Sequence, residues 1–430
     1  MGSPARASNP VPAPEHAHRP APTRREIATA RTLFPSLADT GEVYLDSAAT
    51  TQKPWPVIDA VIGYHRTHTA NAGRGSYRWS TTLTARIAQV RERMAGFIGA
   101  AHTDEVVFTG GATAALNAVA LSWGLAALDD GDQILFNPRD HAANVRPWQH
   151  LREIMARFGR RIELVPYRMT ELGEADVDDI AAKIGPRTRL LTTSHLHHVY
   201  GAVTTLEELR DRMPDRVLLC FDCSQSGGHL PVDVVDLGAD FAVFAAHKMF
   251  GAPGAGVLYC HRRVHDQMIP FLPGGGPGFS GSAAAGMPGL LEGGTPDIPA
   301  LLALGAAVEV LESFGMRAIA EHNRDLTLRL VDGLRTVPGV RLLPGPAHAP
   351  CASGYGIASF TLDGISAGDL GFVLAESGFM VRTGAHCVPA DAAAAAGEAE
   401  SVRVSTQIYN TRTEIDRFTD CVRQIAEEVL

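Results

Sequence analysis

The residues of this sequence that could do chemistry sit at the ends of apolar, strand-like runs. FAVFAAH starts at Phe241, reaches His247-Lys248 and then breaks into a glycine-rich loop. A lysine resists burial, because stripping an ammonium of water costs several kcal/mol or pulls its pKa down. It can escape by reaching along the strand end to solvent. Alternatively it is held in place because its uncharged amine does chemistry, as in a Schiff base. The neighbouring runs favour the second reading. EVVFTG ends in Thr109-Gly110-Gly111-Ala112-Thr113, where free N–H groups at a helix start and a Thr hydroxyl would cradle an anion. DQILFNP leads to Asp140-His141, TRLLTTSH to His195-Leu196-His197-His198, and VLLCFDC to Asp222-Cys223-Ser224-Gln225.

These runs, with RIELVPY and GVLYC, make seven candidate strands between Glu105 and Cys260. Most are continuously apolar, as in strands buried on both faces. Amphipathic stretches such as TAALNAVALSWGLAAL and ANVRPWQHLREIMARFG lie between them. The series predicts an α/β fold with a mainly parallel seven-stranded sheet covered by helices. In such a sheet ligands bind beyond the carboxyl ends of the strands, so the polar ends face one site. A lysine, a carboxylate, several imidazoles and an anion cradle along one edge are the set that pyridoxal phosphate (PLP) needs.

Farther on, Gly274 to Gly289 reads as a long loop or protruding hairpin. IPALLALGAAVEVLESFGMRAIAEHNRDLTLRLVDGL reads as two helices broken near Gly315. Three strand signals (GIASFTL, FMVRTG, VRVSTQ) and a final helix from about Thr413 complete a smaller α+β unit. The expected division is a disordered tail over 1–25, a PLP-binding domain over 26–297 and a C-terminal domain over 298–430. The tail, rich in Pro, Ala and polar residues, lacks the apolar core of a signal peptide.

The chain has 430 residues, enough for a large core. A formal net charge of −9 argues against a nucleic-acid binder. Gly, Pro or charge interrupts every apolar run before it could span a membrane. The six cysteines suit a reducing cytoplasm rather than a disulfide framework, and the Cys220-x-x-Cys223 pair has no second pair with which to form a metal site.

Motifs spread along the chain carry a resemblance. Leu45-Asp46-Ser47-Ala48-Ala49-Thr50, Arg74-Gly75, Thr113, His141-Ala142-Ala143-Asn144, Asp222-x-x-Gln225 and His247-Lys248 occur in that order. They are followed by Gly293-Gly294-Thr295-Pro296, Arg382-Thr383-Gly384-x-His386-Cys387 and Arg403-x-Ser405-x-x-x-Tyr409-Asn410-Thr411. From Glu42 to the C-terminus the sequence resembles class V aminotransferase-fold enzymes of the PLP type I fold. Within them it is most similar to SUF-type (group II) cysteine desulfurases and selenocysteine lyases.

The resemblance implies that Lys248 is the Schiff-base lysine and Asp222 the partner of the pyridinium nitrogen. It places His141 on the ring face and Gln225, with His198, near the phenolic oxygen. Thr113, beside Ala112, and His247 would bind the phosphate, joined by Thr295 of the partner subunit in a homodimer. Arg403, with Arg382 and Asn410, would hold the substrate carboxylate, a fork-shaped task suited to guanidinium. Cys387 would be the nucleophile that takes sulfur from L-cysteine, leaving alanine and a persulfide for an acceptor protein. A nearby cation favours the reactive thiolate.

Four positions depart from the family pattern: His198 where Asn is usual, Ala245 for Ser, Gly73 for His and Ala142 for a second His. Together they hint at a specialised member. The alternatives are a selenocysteine or cystine C–S lyase, an epimerase of the same fold, or a PLP-binding protein serving chiefly as a sulfur-transfer partner. Retention of Lys248, Asp222, Arg403 and Cys387 argues against the last.

Overall fold

All seven expected runs form strands of one sheet. They are β1 (Val106–Thr109), β2 (Gln133–Phe136), β3 (Glu163–Pro166), β4 (Thr188–Ser194), β5 (Leu218–Asp222), β6 (Phe241–Ala245) and β7 (Gly256–Cys260). This computed structural model describes residues 25–38, 40–73, 75–210, 213–275, 286–343, 354–395 and 400–430. Arg74, Cys351, most of the expected glycine-rich loop and nearly all of the expected tail lie outside the described residues.

The strand order is β1-β7-β6-β5-β4-β2-β3. Strand β7 runs antiparallel to both neighbours and the other pairings are parallel. Strands β5, β6 and β7 are buried along their whole length, which accounts for their apolar sequences. Ser194 pairs with Asp222 and Asp222 with Val243, so β4 and β5 end level and β6 runs two residues beyond them. That alignment turns scattered sequence motifs into one edge.

The first crossover helix is continuous from Ala112, although Val119–Gly124 widens into a π segment before Leu125–Ala127. Gly111, just before it, has φ of 143°, a conformation glycine adopts without strain. Two further helices, Trp55–Thr67 and Arg78–Phe97, pack against Ile298–Phe314.

The helix pair expected around Gly315 is present as Ile298–Phe314 and Met316–Arg335, bent by 76° at Gly315, whose φ is 84°. A boundary at residue 298 does not match the packing. Leu301, Leu304, Val308, Leu311 and Phe314 are buried in the same core as Phe244 and Tyr259 of the large sheet. Each such side chain stabilises the fold by roughly 1.5–3 kcal/mol through removal from water. The second core takes in the next helix through Leu326, Leu330 and Leu334, together with Val43 and Leu45 from the start of the chain. Among the described residues, no single helix is long and apolar enough to cross a membrane.

The smaller sheet comprises β8 (Val340–Leu343), β9 (Ile357–Leu362), β10 (Arg382–Gly384) and β11 (Ser401–Ser405), in the order β10-β11-β9-β8 and antiparallel throughout. Strand β8 gave no clear sequence signal, because it is only partly buried. FMVRTG divides in two: Phe379–Met380 pairs with Val43–Tyr44, and β10 pairs with β11. The final helix, Arg412–Val429, starts at a capping box in which Thr411 and Glu414 bond each other's backbone N–H.

Candidate active site

A cavity of about 640 Å³ opens at the carboxyl edge of the large sheet, under β10 and β11 of the smaller one. Lys248 lies at the end of a short 3₁₀ turn, Ala246–Lys248, that continues β6. Its carbonyl packs so close to Gly228 that a Cβ there would sit 2.3 Å from the oxygen. Burial pulls the Lys248 amine down to about 8, against the opposing pull of the Asp222 carboxylate. A lysine so placed has an appreciable uncharged fraction near neutrality, as a nucleophilic amine requires.

Asp222 ends β5, buried at 6% exposure, with Oδ1 accepting from the N–H of Ser224 at 2.9 Å. Gln225 follows one turn on. Its Nε2 donates to the carbonyl of Ala48 at 2.9 Å, leaving buried Oε1 without a partner. His141 caps the turn Ala142–Asn144, with Nδ1 accepting from the N–H of Ala143 at 3.1 Å. Its ring meets that of His198 edge-on at 5.2 Å. Burial, then the nearby Lys248 charge, lowers His141 and His247 to about 4 each. His198 is driven well below its ordinary value by burial. At neutral pH these imidazoles are uncharged.

Ala112, Thr113 and Ala245 also line the cavity, and Ala245 offers no hydroxyl there. Arg403, on β11, is almost fully buried. Nη1 donates to the carbonyl of His198 at 3.0 Å and Nη2 to Asp46 Oδ1 at 3.2 Å, while Nε has no partner. Burial lowers the Arg403 pKa and raises that of Asp46, in both cases against the charge. Their pairing therefore orients the guanidinium rather than stabilising the fold. Arg382 lies directly across the ladder from Arg403, so both guanidinium groups reach the same cavity.

Cys387 stands at the rim rather than on the cavity wall. Its thiol is exposed, and Arg382 Nη2 donates to Sγ at 3.1 Å. His386 and Cys387 have φ of 52° and 68°, a left-handed conformation that costs non-glycine residues energy and marks functional loops. Three contacts hold the loop. Ala142 N donates to the Cys387 carbonyl at 2.9 Å, Val388 packs with Val199 and Tyr200, and His386 Nε2 meets Ser401 Oγ at 3.0 Å. Ala142, one of the four departures, thus touches the cysteine loop through its backbone. Another departure, Gly73, is exposed.

Two expected residues do not join the cavity. Asn410 is buried elsewhere: Nδ2 donates to the Tyr44 carbonyl at 3.0 Å and Oδ1 accepts from Gln407 N at 2.9 Å. Its amide is committed to holding the chain ahead of the last helix, so it is not free to bind substrate. Thr295 is exposed and does not line this chain's cavity.

The sequence motif containing His386 assigns that residue no role of its own. Its Nδ1 is buried and unpartnered at the cavity, and burial lowers the ring to about 3. Its adjacency to Cys387 was the available signal. Nor does the sequence pair Asp46 with Arg403, because that contact spans almost the whole chain.

The model of the aminotransferase class-V family matches residues 43–418. The chain belongs to this family. A cysteine desulfurase of Klebsiella pneumoniae subsp. pneumoniae is 37% identical over 391 residues, covering 89% of this chain and 93% of its own. A probable cysteine desulfurase of Halalkalibacterium halodurans is 33% identical over 395 residues, covering 90% and 93%. Among solved structures, the apo cysteine desulfurase of Thermococcus onnurineus aligns with a TM-score of 0.86 at 29% identity, over 95% of this chain and all of that one. The S-sulfonic acid form of the Escherichia coli cysteine desulfurase CsdA aligns at 0.83 and 29%, over 94% and 100%.

The cavity fits the cofactor implied by this family. Unpartnered buried polar atoms of His198, Gln225, Arg403 and His386 face a space of small-molecule size. Buried polar groups normally find partners, so this cluster calls for a polar ligand. Among the described residues, no group of His, Cys, Asp and Glu could hold a metal ion.

Proposed function

We propose that this class-V family member is a PLP-dependent cysteine desulfurase, converting L-cysteine to L-alanine and retaining the sulfur as a persulfide on Cys387. The observation that carries the reading is the Arg382–Cys387 contact at the mouth of a cavity holding Lys248 and Asp222. Lys248 would hold PLP covalently, Asp222 would meet the ring nitrogen, His141 the ring face, and Gln225 with His198 the phenolic oxygen. Ala112, Thr113 and His247 would receive the phosphate, with Thr295 of the partner subunit completing the site in a homodimer. Bound there, the pyridine ring supplies an electron sink for substrate carbon.

The chain's own residues do the rest. Arg403 grips the substrate carboxylate, helped by Arg382, and fixes Cα near Lys248. Once the substrate amine has displaced it from the cofactor, the Lys248 amine would be free to take the Cα proton. The Cys387 sulfur attacks the substrate sulfur, forming an S–S bond as the Cβ–S bond breaks. The carbon left at Cβ takes up a proton to become the methyl group of alanine, and the proton held on Lys248 returns to Cα. Exposure of Cys387 lets an acceptor protein collect the outer sulfur. A cytoplasmic setting agrees with the five cysteines among the described residues, all unpaired.

One observation favours a second reading. Cys387 does not line the cavity, and a C–S lyase acting on selenocysteine or cystine would not need it there. A substrate panel followed for alanine, pyruvate and sulfide together separates the two. Alanine is expected from L-cysteine, and pyruvate as the main product would overturn the desulfurase reading.

A further inference from the structure

The carbonyl of His247, in the peptide leading into Lys248, receives four donors: Lys53 Nζ at 2.9 Å, Thr51 N at 3.0 Å, and the hydroxyls of Thr50 and Thr51 at 3.1 Å each. A carbonyl oxygen has two lone pairs, so these four donors more than saturate it. The same segment reaches across the site. Ala48 O accepts from Gln225, Ala48 N donates to Ser405 Oγ at 2.8 Å, and Asp46 holds Arg403.

Lys53 is the charged end of this strap and its least expected member. Its Nζ also donates to the Thr51 carbonyl at 2.6 Å and lies 3.4 Å from Thr50 Oγ1. All three partners are neutral, and among the described residues no carboxylate pairs with it. Burial without a counter-charge draws its amine down to about 7. Such a lysine costs stability where it stands, and its charge reaches the His247 ring, lowering that imidazole further.

We propose that Lys53 is a positioning residue for the cofactor: by fixing the His247 carbonyl it sets the turn that aims His247 and the Lys248 amine into the cavity. This rests on Lys248 being the attachment lysine, as argued above. Lys53 itself does not line the cavity and takes no part in bond making.

The test compares wild type, Lys53→Met, Lys53→Gln and Lys53→Arg, each stripped of cofactor and titrated with pyridoxal phosphate by absorbance. Borohydride reduction and peptide mass spectrometry then measure labelling of Lys248, and thermal melts of the stripped proteins report folding. Losing a charged hydrogen bond of this kind is expected to weaken cofactor binding about tenfold in Lys53→Met. Labelling at equal occupancy should also be slower. Lys53→Gln, which keeps a neutral donor, should fall between, and Lys53→Arg should recover most of the loss. This order, with melting temperatures that do not follow it, supports positioning. Wild-type affinity and labelling in both Lys53→Met and Lys53→Gln overturn it. So does a loss that Lys53→Arg fails to restore while all four proteins melt alike. If wild type itself is unlabelled at Lys248, the reading of the site falls and this proposal with it. Equal labelling in wild type and variants removes this proposal alone.

Discussion

Replacing Arg403 separates the two tasks proposed for it. The guanidinium is pinned by two N–H groups, to the His198 carbonyl and to Asp46, and its buried Nε is unpartnered. Arg403→Lys keeps a cation but loses the fork. One charge-assisted bond to the substrate carboxylate, at about 2 kcal/mol, corresponds to roughly a 30-fold rise in KM for L-cysteine. Arg403→Ala does something else, because it leaves Asp46 without its ion-pair partner. The Asp46 side chain is 23% exposed, so the cost should be about 1–3 kcal/mol rather than the 3–5 kcal/mol of a fully buried pair.

This cost has a pH signature. Burial already holds the Asp46 pKa above its ordinary value despite Arg403, and removing Arg403 removes the main lowering influences. A folded pKa above the unfolded one means that the folded state holds the proton more tightly. Stability is then lost as pH rises through the folded pKa. Arg403→Ala should therefore be destabilised more at about pH 8 than at about pH 5, read by urea unfolding. Steady-state kinetics of Arg403→Lys supply the other half. An unchanged KM, or an Arg403→Ala penalty equal at both pH values, would refute the reasoning.

Asp222→Asn should retain cofactor yet lose on the order of 100-fold in turnover, since a carboxylate aimed at a site of developing charge is replaced by a neutral group; unchanged turnover would mean Asp222 does not face the ring. Lys248→Ala should yield no borohydride-stable adduct, and an adduct mapped to another lysine would reassign the attachment point. By light scattering the protein should be a homodimer, with Thr295→Ala reducing cofactor retention; a fully active monomer would contradict the shared site.

Much of the large sheet was legible because β5, β6 and β7 are buried on both faces and read as unbroken apolar runs ending in polar residues. The alignment of Asp222 and Lys248 at one edge follows from parallel register, which the sequence pattern anticipates. Asn410 was misplaced for a physical reason. It sits in a motif near Arg403, but Arg403 lies on a strand and Asn410 in the turn beyond it, where backbone groups claim its amide. Lys53 was not legible at all. Its partners are backbone carbonyls and a hydroxyl, and the link to His247 spans nearly 200 positions, for which side-chain types give no signal. The helix Ile298–Phe314 follows a long glycine-rich stretch that looked like a boundary. Its burial on most sides, rather than along one stripe, shows that it belongs to the larger core.

The central claim is that Cys387 receives the sulfur. Its thiol meets Arg382 at the cavity mouth, on a loop fixed by Ala142, Val388 and His386. The most direct measurement is a single turnover of the cofactor-loaded protein with L-cysteine, quantifying alanine and weighing the Cys387 peptide. Wild type should form alanine together with one added sulfur on Cys387. Cys387→Ala should still bind cofactor and substrate, because Lys248 and Arg403 remain, yet give no alanine burst. Full activity in Cys387→Ala with pyruvate as product, or wild-type alanine formation with no sulfur on Cys387, would contradict the account.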